Sequence, residues 1–340
     1  MSVKKNCFDE IRLTLAIIVF FSHAQEISGA FMWPDIFDFN FAIKGFFAIS
    51  GYLVTKSYFS SASVYDFFEK RVRRIYPAYS AVIGYGFLIG LAITSLSFGE
   101  FFTSSSTYKY LFFNLIFLNF LQPTIPGVFE GWTISAVNGA LWTIKIEIML
   151  YLLIPLIVFL YRKIGIFAGF CLIFAGGVLW FTYFTYGFDH PMGVVLARQF
   201  PGQLPYFVMG SFLAAKEFRP GVRYALFLVS AVYLLLDVPP GISDYANMVM
   251  YPLFVIGLSQ IGWLSIGVGR IGDLSYGVYL FHFPTLQLLK YFGLFELYPY
   301  GTLIAAALIT LVLAYASWIL IERKFLRRSS HYVHESHSRT

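Results

Sequence analysis

The sequence predicts an all-α, polytopic integral membrane protein with about ten transmembrane helices and both termini in the cytoplasm. Three observations predict it. Of 340 residues, 58% are hydrophobic and 12% charged, about half the charge of a soluble globular domain. Apolar runs of spanning length recur from end to end, and about 20 residues cross a bilayer. The Lys and Arg between those runs gather on alternate loops, as the positive-inside rule requires of short loops. The net charge of +6 thus reflects topology and does not point to nucleic acid.

The apolar runs, in order, are 11–30, 41–60, 77–98, 141–161, 164–184, 201–216, 223–237, 247–266, 274–292 and 302–322. The first follows Lys4 and Lys5 and lacks a small-residue cleavage site, so it reads as an uncleaved first span rather than a signal peptide. The sixth and seventh are short for a full crossing. One set of loops holds Lys70, Arg71, Arg73, Arg74, Arg162, Lys163, Lys216, Arg219, Arg223, Arg270, Arg323, Lys324, Arg327 and Arg328. The other holds Asp35, Asp38, Glu100, Glu130, Asp189, Asp237, Asp244 and Glu296. An even number of spans agrees with termini on one side. Segment 108–121 is too short to span and predicts a re-entrant or interfacial helix on the outer side. The Pro- and Gly-rich stretch 122–140 predicts an exposed outer loop at a substrate entrance. Residues 1–328 read as one transmembrane domain. The polar tail 329–340 reads as a disordered cytoplasmic extension. The two cysteines, Cys7 and Cys171, make no disulfide framework and no metal-ligand spacing.

Within this apolar background the ionisable residues are the informative ones, because a charge inside a span is costly and marks function by default. Arg12 and His23 lie in the first span with ten residues between them. Eleven positions are about three helical turns, so both side chains share a face, roughly 16 Å apart along the axis. Imidazole takes and returns a proton near neutral pH, as a general base must. Arg12 alone also fits a cation snorkelling to the interface. Asp9 lies one turn below it. The run FFEKRVRRIYPAY concentrates Lys70, Arg71, Arg73 and Arg74; it serves as a topological anchor and equally suits a phosphorylated ligand, since guanidinium binds phosphate bidentately. In the fourth span Glu147 needs a partner, with Thr143 and Tyr151 on its own face and Lys145 facing elsewhere. In the ninth, Ser275, Tyr279 and His282 recur at helical spacing, a pattern interhelical hydrogen bonding also explains. His331, His334 and His337 lie in the tail, which has no fold to set a metal geometry. No nucleophile elbow, Walker loop or dinucleotide fingerprint occurs.

Taken together, these segments resemble the membrane-bound acyltransferase-3 family. Five motifs carry the resemblance. They are Phe8-Asp9 with Arg12 and His23; KGFFAISGYLVTKSY, with Phe46, Phe47, Ser50, Gly51 and Tyr52; FFEKRVRRIYPAY, with Arg71, Arg74 and Pro77; ALWTIKIEIMLYLLIP, with Trp142 and Glu147; and LSYGVYLFHFP, with Ser275, Tyr276, Gly277, Tyr279, His282 and Pro284. Glu322 fits as well. Thr143 stands where Ser is usual, and Lys324 where a Pro is expected. The resemblance runs from about Asn6 to Arg328.

The resemblance implies an O-acyltransferase of the inner (plasma) membrane. Its donor would be cytoplasmic acyl-CoA, acetyl-CoA foremost, and its acceptor a hydroxyl of an envelope polysaccharide or lipid-linked sugar. It implies His23, Arg12 and Glu147 as catalytic residues, and Arg71, Arg74 and Arg12 as contacts to the donor. Trp142, Ser50, Tyr52, Ser275, Tyr279 and His282 would line the substrate, with no metal. Membrane lipid and a carbohydrate are the implied partners, and the oligomeric state stays open. A flippase or transporter of a lipid-linked sugar is the alternative reading; it would show inverted repeats with broken helices. A pH-sensing membrane protein switched by His23 is a further one.

Overall fold

A computed structural model describes residues 6–32, 38–216 and 218–327. The predicted tail 329–340 lies outside the described residues. The chain is helical, and no strand occurs among the described residues. In order the helices are α1 (Phe8–Ser28), α2 (Phe39–Phe59), α3 (Val64–Ile93), α4 (Phe98–Thr103), α5 (Ser105–Leu115), α6 (Trp142–Ile164), α7 (Ile166–Thr182), α8 (Gly193–Ala197), α9 (Phe200–Ala215), α10 (Pro220–Tyr233), α11 (Pro240–Ser259), α12 (Leu274–Tyr291), α13 (Leu294–Leu297), α14 (Pro299–Ser317) and α15 (Arg323–Phe325).

Each of the ten apolar runs falls on a long helix: α1, α2, α3, α6, α7, α9, α10, α11, α12 and α14. Five helical stretches are long and apolar enough to cross a membrane by length and composition: Phe8–Ser28, Val64–Ile93, Gly139–Ile164, Ile166–Gly187 and Pro299–Phe325.

Three local expectations are corrected. Helix α3 starts at Val64, not near 77, so the basic run is helical. Pro77 lies inside it, and the lost amide bond is outweighed by a face that buries Ile75 and Ala78 while Val72 and Tyr76 stay exposed. The predicted 108–121 helix ends at Leu115; just beyond it Phe117 takes a positive φ of 64° and packs tilted against Tyr79, ring centres 4.3 Å apart. The 122–140 stretch is not a uniformly exposed loop. Ile125, Val128, Phe129, Val137 and Asn138 are buried, and Glu130, Gly131 and Thr133 are exposed. Its inward residues replace a helix as core, with backbone carbonyls of Ile134 and Ala136 satisfied by Gln287 Nε2.

The chain divides into two compact units. The first holds residues 1–15, 40–67 and 146–266. Here α2 and α9 approach at a glycine seam. A Cβ on Gly51 would run into the Phe207 carbonyl, and one on Gly210 into that of Ala48. Thr55 and Ser211 hydrogen-bond across it at 2.8 Å. Small residues with a hydroxyl pair are the way apolar helices associate where water supplies no drive. Helix α7 packs on α9, and α10 on α11.

The second unit holds residues 16–39, 68–145 and 267–340. Helix α12 is its centre. Its residues from Ser275 to Gln287 are all buried, it packs on α14, and Tyr276 donates to the Ile75 carbonyl at 3.0 Å. Lys290 Nζ donates to the Ile27 carbonyl in the last turn of α1, a favourable place for a cation at a helix C-terminus.

Candidate active site

In the second unit, α1 presents His23 and α12 presents His282. The two imidazoles meet directly, with His23 Nδ1 2.8 Å from His282 Nε2. Their rings lie 5.0 Å apart and 25° from parallel. His282 Nδ1 lies 3.1 Å from the Val278 carbonyl, one turn earlier on its own helix. His23 is 5% exposed and His282 fully buried. Phe39 and Phe283 stand edge-on to the His23 ring at 5.1 and 5.0 Å. An imidazole so enclosed has few rotamers and no bulk water to solvate a charge.

The loop before α6 builds the wall beside the pair. Asn138 Nδ2 donates to the Leu280 carbonyl at 2.9 Å, and its Oδ1 accepts from the Ala140 amide, capping the turn 139–141. A Cβ on Gly139 would overlap the Phe283 ring, so glycine lets that ring lie against the loop. Thr143 and Tyr279 hydroxyls meet at 2.5 Å, and Tyr279 also donates to Ala140. The Tyr279 ring lies 5.8 Å from His282.

The basic run sits elsewhere in this unit. Arg74 pairs with Asp273 and, at 3.8 Å, with Glu322; both carboxylates are buried. Ser275 donates to Asp273 at 2.5 Å, and Ser317 to Glu322 at 3.0 Å. Glu69 takes Arg73 at 2.8 Å and also Arg327. Arg74 is thus engaged structurally by two carboxylates, whatever else it touches. Ser275 belongs to this cluster, while Tyr279 and His282 face the imidazole pair, so the predicted polar stripe of α12 serves two places.

In the first unit Arg12 lies 4.0 Å from Asp9, with 18% of its side chain exposed; it is covered rather than extended into solvent. Phe8 stacks on Tyr52 at 5.2 Å, and Lys56 Nζ lies over the Tyr52 ring, 4.6 Å from its centre. Glu147 accepts from Ser50 at 3.2 Å and from Tyr151. Two hydroxyls therefore hold the carboxylate. In the second unit the Lys145 ammonium lies over the Phe120 ring. Trp142 is half-buried at the start of α6.

Sequence reasoning missed Asn138, Phe283 and Asp273. Two of them carried a signal: Asn138 stands just before a helix start, and Asp273 just before the apolar run of α12, both capping positions. The partner of each is distant in sequence, and nothing local announced it.

Aromatic rings thus enclose the His23 imidazole on α1, a helix long and apolar enough to cross a membrane by length and composition. The chain belongs to the acyltransferase-3 family, whose acyltransferase domain matches residues 5–323. It is similar to an O-acetyl transferase of Shigella phage Sf6, with 30% identity over 96% of this chain and 98% of the relative. It is also similar to nodulation protein 10 of Rhizobium leguminosarum bv. viciae, with 26% identity over 95% and 94%. No solved structure matches. The protein is a membrane acyltransferase.

Proposed function

We propose that this protein transfers an acetyl group from cytoplasmic acetyl-CoA to a hydroxyl of an envelope polysaccharide or lipid-linked sugar, in the inner (plasma) membrane. The observation that carries the reading is the enclosed His23 imidazole, joined through Nδ1 to His282, in a chain whose relative is named an O-acetyl transferase. The donor supplies a thioester carbonyl carbon. His23 takes the acceptor hydroxyl's proton as that oxygen adds to the carbon. The C–O bond forms, the C–S bond breaks, and His23 returns the proton to the departing thiolate. Proton transfer of this kind contributes about 10²- to 10⁴-fold.

Arg71, half-buried on α3, is proposed as a contact to the donor's phosphates, where a planar guanidinium suits the anion. Arg12 is proposed to bind the donor or polarise its carbonyl. Glu147, with Ser50 and Tyr151, is proposed to hold acceptor hydroxyls, and Tyr52 and Trp142 to offer it aromatic surface. The ten-span topology with cytoplasmic termini is part of the proposal. The test is His23→Ala at matched membrane level, with envelope glycan acetyl content read by mass spectrometry. Acetylation is expected to disappear while glycan export continues. Wild-type acetyl content in the variant would sink the mechanism, and loss of export would favour the transporter reading.

A further inference from the structure

The hydrogen-bond partners of the imidazole pair fix its protonation. A backbone carbonyl only accepts, so the 3.1 Å contact to Val278 puts the proton of neutral His282 on Nδ1. Its Nε2 is then a lone pair. The 2.8 Å contact between that nitrogen and His23 Nδ1 requires His23 to donate, so its proton lies on Nδ1. One ring nitrogen of the four is left with a free lone pair and no histidine or carbonyl partner in this chain of bonds: His23 Nε2. Phe39 and Phe283 brace the ring edge-on, so the tautomer and the orientation are set together.

We propose that His282 is the positioning residue of His23, a neutral orienter that presents His23 Nε2 as the base and stabilises the imidazolium formed when that atom takes the hydroxyl proton. The proposal rests on the reading of His23 as the base. When His23 gains its second proton, Nδ1–H still points at His282 Nε2, and the bond becomes charge-assisted, about twice as strong as a neutral one. The gain arises only as charge develops, so it lowers the barrier rather than strengthening substrate binding. The arrangement does for a base buried among aromatic rings what a carboxylate does in a serine hydrolase triad, without placing a permanent negative charge in the membrane interior, where ionised groups are costly.

Two amides separate positioning from packing. In His282→Gln the Oε1 reaches the place of Nε2 and accepts from His23 Nδ1–H. In His282→Asn the shorter amide still donates toward Val278 but falls short of His23. Both are assayed as purified full-length protein at equal thermal stability, with labelled acetyl-CoA as donor and envelope glycan from cells lacking the protein as acceptor. His282→Gln is expected to retain most of wild-type kcat. His282→Asn is expected to lose about 10- to 100-fold in kcat, part of what a general base supplies, with KM for acetyl-CoA unchanged. Equal kcat in the two variants, at any level, overturns the proposal, as does a loss confined to KM. His23→Ala run in parallel separates the readings. Full turnover in that variant removes the base itself, whereas an inactive His23→Ala beside equal Gln and Asn variants removes only its partner.

Discussion

At the scale of single residues, the chain uses its rare charges in two ways. His23 is enclosed and joined to a neutral partner; Arg74 is enclosed and joined to two carboxylates. The second case predicts stability rather than chemistry. Asp273→Asn leaves the Arg74 guanidinium with Glu322 at 3.8 Å as its remaining carboxylate in this cluster, and breaking a buried pair costs about 3–5 kcal/mol. A fall in the thermal midpoint of detergent-solubilised protein is expected, near the lower end because Glu322 persists. An unchanged midpoint would mean that water reaches the cluster freely. Arg12 predicts the converse. Arg12→Lys keeps the charge and loses the planar fork, so turnover should fall about tenfold or more, roughly 1.4 kcal/mol or beyond, at unchanged melting temperature. Near-wild-type turnover would reduce Arg12 to a point charge.

At the scale of elements, the seams between helices decide which substitutions are tolerated. A Cβ at Gly51 has no room beside the Phe207 carbonyl, and backbone cannot step aside as a side chain can. Gly51→Ala is expected to destabilise by about 1–3 kcal/mol, read as a lowered melting temperature. Gly84, on α3, has nothing within 4 Å of the same position, and Gly84→Ala should leave stability unchanged or raised. Equal effects at the two glycines would refute the seam. The sequence marks Gly51 as part of a motif but does not say why a side chain is excluded there, because the reason lies in a backbone more than 150 positions away. The ten apolar runs themselves were legible, since each is a local property that burial then realises as a helix. Helix ends were less so: the apolar run begins at 77, yet an amphipathic face carries α3 back to Val64. His23 was legible as a costly ionisable group in an apolar run. Its bond to His282, 259 positions on, was not, because pattern along one helix cannot name what another helix sets against it.

At the scale of the whole molecule, the asymmetry of cations predicts the direction of transfer. The basic loops would face the cytoplasm, and a donor carrying phosphates would enter from that side. His23 follows Arg12 by eleven positions on α1, away from the basic end, so the acetyl group would be handed on within the protein and the acceptor would arrive from outside. Impermeant maleimide labelling of single cysteines, in a background lacking Cys7 and Cys171, tests this. Asn138 is unsuitable as a reporter, being buried and bonded to Leu280. Thr133 is exposed in the same loop. Thr133→Cys is expected to label in intact cells, and Ser338→Cys only after permeabilisation. Labelling of Ser338→Cys in intact cells, with Thr133→Cys protected, would turn the protein over in the membrane. The donor would then have to come from the outer side, where no cytoplasmic thioester is available, and the proposed route of the acetyl group would fail with it.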